Sequence, residues 1–422
     1  MSLAEVRHQE HAQEVIRRSL RRGRLPHAFL FHGPDGVGKE MFACGLAELL
    51  LCSSGGALQG RARKEADQND RTLNLARRDN ADRHAVSSGP ARKSEGRQNF
   101  NHDPDPEACG ECDDCRGVRA GIHPDLHVIH RQLLREHPDP EIRKRKGLDL
   151  GIDVVRHFLI EPVYLTPIRG RAKVFLVREA DCITAQAQNA LLKTLEEPPG
   201  ASFLILLASA ADRLLPTTLS RCQVVRFDPL PSDFILEKLA EARPELEVEH
   251  HRWYAQQCEG SLGAALRDAE DALHEMNPRL PLWLPGFGEF QRNGVTRPSA
   301  SQSVDPVKAW TESAAALAEG QRRRDSEITE TEAARRGIAT LLRLAANWYG
   351  DVLRCSVGKM DAALNTAWRE GLGLVAAGVA AESCARAIAR LAQTERQLDL
   401  NANTQLCLEV LHADLRDLFG RA

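Results

Sequence analysis

A chain of 422 residues is long enough for two or three domains, each burying its own core, so a single small module is not expected. Its 56 basic and 59 acidic residues leave a formal net charge of −3, which excludes the strong positive field of an autonomous nucleic-acid binder; DNA contact is expected to be local or shared with partners. No run of about 18 apolar residues suits a membrane span, and the opening MSLAEVRHQEHAQEVIRRSLRRG has no apolar stretch like that of a signal peptide, so a cytoplasmic location is expected.

In chain order, Gln9 to Leu20 repeats apolar residues at helical spacing, and HAFLFHG (His27 to Gly33) reads as a short buried strand. A glycine-rich turn follows, then a helix from about Glu40 to Leu51. From Ser53 to Ala108 the only large apolar residues are Leu58, Leu73, Leu75, Val86 and Phe100, too few to offset the entropy of ordering, so a mostly disordered insertion is expected, with room for a short helix around Leu73. Order returns at Cys109. Ile152 to Tyr164 reads as an amphipathic helix, Val174 to Val177 as a strand, and AQAQNALLKTLEEPP as a helix stopped by Pro198 and Pro199. Ser202 to Ser209 and Cys222 to Phe227 supply two more strands. Strands alternating with helices predict a parallel sheet covered on both faces. Beyond Pro229 the strand signal stops: a small helical domain, a proline-rich irregular join from Pro278 to Pro306, and a helical segment from Val307 to the end complete the chain.

Three motifs carry chemistry. Gly33, Gly36, Gly38 and Lys39, in FHGPDGVGKEMF, keep the backbone amides and the lysine with which a phosphate loop grips a polyphosphate. Glu40, however, stands where a Ser or Thr hydroxyl should hold magnesium, and at the end of a following strand VFLVREAD puts Arg178 where a magnesium-binding carboxylate is needed, with Glu179 in the water-polarising place. An arginine cannot ligate magnesium, so a nucleotide fold without competent hydrolysis is expected. Cys109, Cys112 and Cys115 repeat at the interval of zinc ligands and need one more thiolate for a closed, structural site. Cys52 is the best fourth, with Cys44, His102 and His123 as alternatives; the remaining cysteines of the 11 read as small buried residues. In PTTLSRCQ, Arg221 read alone is an arginine in a solvated loop.

Together, GRLPHAFLFHGPDGVGKE, the four cysteines, GIHPDLHVI, AQNALLKTLEEPP, LSRCQ, NWYGDVL and LNANTQLCLEVL resemble the bacterial clamp-loader family of AAA+ proteins, over nearly the whole chain except the insertion and the join. The resemblance implies an AAA+ P-loop-like α/β domain over residues 1–228 with an inserted zinc module, a helical lid over 229–277, a linker over 278–306 and an all-α collar over 307–422. It implies that Arg221 is an arginine finger reaching the ATP site of a neighbouring subunit, and that Cys52, Cys109, Cys112 and Cys115 hold zinc. Hydrolysing members carry an arginine where GSLGAAL has Gly263, a third loss from the same apparatus. The implied function is a non-hydrolysing stator in the DNA polymerase III clamp loader. It would work with motor subunits of the gamma/tau type, a clamp-opening delta-type subunit, the sliding clamp and, through the complex, primer-template DNA; ATP or ADP binding would be weak or absent. Two other classes are an ATP-hydrolysing motor subunit of the same loader and a zinc-containing DNA-binding protein on an inert scaffold.

Overall fold

The computed structural model describes residues 3–22, 24–54, 107–144, 149–169, 172–287, 305–324, 328–399 and 402–419. Most of the expected insertion, including its possible helix around Leu73, and His102 lie outside the described residues. The chain forms two compact units, Met1–Pro229 and Leu230–Ala422.

The first unit is built on five parallel strands, β1 (Ala28–His32), β2 (Leu126–Ile129), β3 (Lys173–Val177), β4 (Ser202–Ala208) and β5 (Gln223–Arg226), in the order β2-β3-β4-β1-β5. β1, β3 and β4 are buried almost end to end, as a parallel sheet covered on both faces requires. Alternation along β1 divides the core. Ala28 and Leu30 join Phe175, Val177, Leu204 and Leu206 on one face, where Ala187, Leu191 and Leu195 of α4 (Ala185–Glu196) pack. On the other face Phe31 meets Phe42 of α2 (Lys39–Leu51) and Phe227, with ring centroids 5.5 and 5.3 Å away. Each such buried ring or aliphatic side chain stabilises the domain by about 1.5–3 kcal/mol relative to exposure. α1 (Glu10–Arg21) precedes β1, and α3 (Asp113–Arg119) follows the cysteine-rich turn.

β2 is a strand that the sequence pattern did not offer. LHVI is short, lies at the sheet edge, is only half-buried over three of its four residues, and has His127 inside it, stacked on Phe175. The amphipathic segment after Gly151 is helical as expected but contains a π turn, Ile152–Val155, Arg156–Ile160 and Glu161–Val163 running in succession. Pro162 has no N–H and would crowd the carbonyl of Phe158 in a regular helix; the wider turn absorbs it.

The described part of the second unit is helical throughout. α5 (Ser232–Ala242), α6 (Val248–Gln257) and α7 (Leu262–Glu270) precede a 3-10 turn at Asn277–Leu282, and α8 (Pro306–Arg324), α9 (Glu330–Ser356), α10 (Arg369–Gly378), α11 (Ala381–Asp399) and α12 (Thr404–Phe419) follow. The segment expected to be an irregular join starts as packed structure: Leu280, Leu284 and Phe287 are buried, and the Tyr349 hydroxyl donates to the Pro285 carbonyl at 2.8 Å. Trp348 and Tyr349, in the C-terminal half of α9, are among the largest fully buried side chains.

Candidate functional site

The phosphate loop leaves the C-terminal end of β1, the residues after β3 and β4 leave the same edge, and β1 lies between β4 and β5, so loops from both sides converge on one crevice. The loop's shape depends on glycine. Gly33, Gly36 and Gly38 have φ of 150°, 71° and 100°. A Cβ on Gly33 would lie 2.2 Å from the Phe227 carbonyl oxygen, so no other residue fits.

Lys39 folds back over this loop. Its side chain is 7% exposed, and its ammonium donates to the carbonyls of Gly33 and Pro34, the latter at 2.8 Å, and pairs with Asp35 at 3.3 Å. Burial draws its pKa below the ordinary lysine value, against the pull of Asp35. Asp35 also accepts from the Ser209 hydroxyl at 2.5 Å, which ties the end of β4 to the loop. Asp181 lies in the same environment, its carboxyl raised by burial and, less, by Asp35.

Glu40 and Arg178, the two departures from a magnesium site, meet as an ion pair. Glu179 is also engaged: Arg131 grips both its carboxylate oxygens at 2.7 Å, and its backbone takes the left-handed conformation at φ 50°. A carboxylate with both oxygens engaged by one guanidinium fork must break that contact before it can orient a water. Gly263 occupies the first turn of α7 in the second unit.

Arg221 follows a single helical turn, Pro216–Leu219. Its guanidinium donates to the Glu196 carboxylate, at 2.7 Å from Nε, and to the Thr217 carbonyl at 2.9 Å. The turn is pinned from behind by buried Gln188 of α4, whose Oε1 accepts from Leu215 N at 2.8 Å and Thr218 Oγ1 at 3.2 Å while its amide donates to Ile183 O. Sequence reading missed Arg131, Glu196 and Gln188 as working residues. The only signal was that AQNALLKTLEEPP and LSRCQ were both motifs; that Gln188 and Glu196 serve Arg221 emerges from the packing of α4 on the turn.

The thiol groups of Cys52, Cys109, Cys112 and Cys115 lie within 4.8 Å of one another. Sulfurs about 2.3 Å from a tetrahedral zinc ion are about 3.8 Å apart, and here Cys109–Cys115 and Cys52–Cys112 are separated by 3.8 and 4.0 Å. Amides of Cys109, Cys112 and Cys115 donate to neighbouring sulfurs at 3.4 Å, as suits thiolates. Burial opposes ionisation of Cys112, but hydrogen bonds from Ser53 and the Cys115 backbone bring it down to about 5; backbone bonds from Glu111 and Cys112 lower Cys109, while burial raises Cys115. Cys44 stands outside this cluster and His123 faces Asp114 instead, 3.4 Å away. The cluster is docked on the phosphate-loop helix by Arg119, which grips buried Glu48 at 2.7 and 3.1 Å.

A parallel sheet with a glycine-shaped loop between β1 and α2 defines a P-loop nucleotide-binding type of domain, here followed by a helical unit. Within that class the chain belongs to the family described as DNA polymerase III, delta subunit, whose family model matches residues 8–94 and 96–231, and it is a delta-prime/clamp-loader family protein. It is 28% identical over 233 residues to DNA polymerase III subunit delta' of Bacillus subtilis, covering 55% of this chain and 51% of that protein. It is 31% identical over 229 residues to the Pseudomonas aeruginosa delta' subunit, covering 54% and 51%. Over 276 residues it is 28% identical to the Escherichia coli tau subunit, covering 64% and 33%. The chain thus spans about half the length of these delta' relatives. A crystal structure of a DNA polymerase III gamma subunit-related protein from Thermotoga maritima aligns with 69% of this chain and 93% of that one at 20% identity, but its TM-score of 0.31 adds nothing to the sheet order. Among the described residues no single helix is long and apolar enough to cross a membrane.

Proposed function

We propose that this chain is a non-hydrolysing, delta'-type stator of the DNA polymerase III clamp loader. One observation carries the reading: the groups that would hold magnesium and activate water are satisfied by each other or by arginine, Glu40 with Arg178 and Glu179 with Arg131. In this reading the loop residues Gly33, Gly36, Gly38 and Lys39 are a degenerate nucleotide site in an AAA+ domain over residues 1–228. Beyond a helical lid over 229–277, the collar over 307–422 serves assembly with motor and delta-type subunits. Arg221 completes the ATP site of the neighbouring motor subunit, where a planar guanidinium stabilises charge on the transferring phosphoryl group. Cys52, Cys109, Cys112 and Cys115 hold one structural zinc, since four sulfurs leave no position open for water. The complex, in the cytoplasm, opens the sliding clamp and loads it on primer-template DNA.

Reconstitution with motor and delta-type subunits tests this: clamp loading should require the chain, and the chain alone should hydrolyse no ATP above background. Similarity to tau subunits over 64% of the chain favours a motor as the second reading. Magnesium-dependent turnover by the isolated chain, abolished by Lys39→Ala, would establish the motor and remove the stator.

A further inference from the structure

In a working phosphate loop, positive charge beyond the lysine comes from magnesium, held by a hydroxyl and a carboxylate. Here both positions are charged side chains of opposite sign, in contact with each other. They are about half exposed, Arg178 at 43% and Glu40 at 46%, and an exposed pair contributes at most about 1 kcal/mol. The pair is therefore a weak lock. An incoming polyphosphate brings several negative charges against the single one of Glu40, enough to draw the guanidinium over.

Arg178 is equipped for that exchange. Its charge is permanent, and its planar fork matches two phosphate oxygens, which an ammonium does not. The contact with Glu40 employs Nη2, and the buried Nε–H has no hydrogen-bond partner. Lys39, next in sequence to Glu40, supplies a second cation once its ammonium leaves the Gly33 and Pro34 carbonyls, and the first amides of α2, a helix of 13 residues, have no acceptor within the helix. Against these stand Glu40 and Asp35. A magnesium ion brought in with the phosphates would meet a guanidinium where it needs a ligand.

We propose that this loop binds polyphosphates, including nucleoside di- and triphosphates, as metal-free anions, with the Arg178 guanidinium in the place of magnesium and Glu40 as the partner it leaves. The inference rests on the non-hydrolysing reading, because a site without magnesium lacks the charge needed for phosphoryl transfer. Calorimetric titration of the purified chain with ADP, ATP and pyrophosphate, in excess EDTA and in millimolar magnesium, tests it. Binding should occur in EDTA and be weakened by magnesium. Arg178→Ala should lose about tenfold in EDTA, roughly 1.4 kcal/mol, and Glu40→Gln should gain affinity, an opposite sign that a folding defect cannot imitate. The double variant Glu40→Thr with Arg178→Asp should bind more tightly with magnesium than without. Pyrophosphate matching ADP assigns recognition to phosphate alone; tighter ADP binding adds a contact to the nucleoside; either supports the proposal. Absence of binding in EDTA, wild-type binding strengthened about tenfold by magnesium, or an inert Arg178→Ala would overturn it. Phosphate release is recorded in the same samples. Turnover sinks the stator reading, whereas magnesium-strengthened binding without turnover sinks the metal-free site alone.

Discussion

Arg221 is held by Glu196 and the Thr217 carbonyl, so it is not free, although 31% of its side chain stays exposed. Because the pair is partly exposed, it is worth no more than about 1 kcal/mol. Arg221→Ala is accordingly expected to leave the thermal midpoint and subunit assembly almost unchanged while lowering clamp- and DNA-stimulated ATP turnover in the reconstituted loader. Arg221→Lys should not restore it, since a point ammonium lacks the fork; full turnover with the alanine variant would return Arg221 to an ordinary ion pair. For the thiolates, Cys52→Ser should abolish stoichiometric zinc in elemental analysis and Cys44→Ser should leave it intact; the reverse result would reassign the fourth ligand. At this scale legibility followed sequence distance. Cys109, Cys112 and Cys115 are local in sequence, and Glu40 and Arg178 each broke a known spacing. The partners of Glu179 and Arg221 lie 48 and 25 positions away: Arg131 is brought to Glu179 by the pairing of β2 with β3, and Glu196 to Arg221 by the packing of α4 on the turn.

Among the elements, α9 shows what the NWYGDVL motif does. Trp348 donates to Asn277 at 2.9 Å, Asn277 donates to Asn365 at 2.7 Å, and Asn365 also accepts from Trp253 at 3.1 Å. Asp351, fully buried, accepts from the amides of Leu364 and Asn365 and the Asn365 side chain, each at 2.8 Å, and from Arg354. Every member is satisfied, which makes the network costly to breach. Asp351→Ala strands two backbone amides and should cost about 3 kcal/mol or more in denaturant unfolding; a loss below about 1 kcal/mol would mean that water replaces the carboxylate. Gly337 serves the same unit through size, since its Cβ would lie 2.5 Å from the Ala314 carbonyl where α8 and α9 approach. The helix was legible here and the network was not, because Asn277 and Asn365, which complete it, lie far from the motif in sequence. In the first unit, β2 escaped for a local reason: in LHVI the histidine interrupts the apolar run that marks the other strands.

For the molecule as a whole, the composition of the segment between Cys52 and Cys109 makes a separate expectation: deleting Gly55 to Asn101 should move the thermal midpoint by no more than a few degrees, since five large apolar residues cannot build a core. A larger fall would show that the segment packs on the domain. Zinc content should survive the deletion, because closing a shorter loop costs less entropy. A parallel sheet was foreseeable from the alternation of strands and helices; its order was not, since β2 was not among the expected strands, nor was the docking of the cysteine cluster, because nothing local marks Glu48 as an acid buried to 1% exposure under Arg119. That docking has a mechanical consequence. α2 begins at Lys39 and its C-cap is Cys52, so the loop lysine and one sulfur of the cluster are the two ends of one rod about 20 Å long. With its far end held by the cluster and by Arg119, the rod has little freedom to pivot, so the position of Lys39 is set in part by an anchorage well away from the loop.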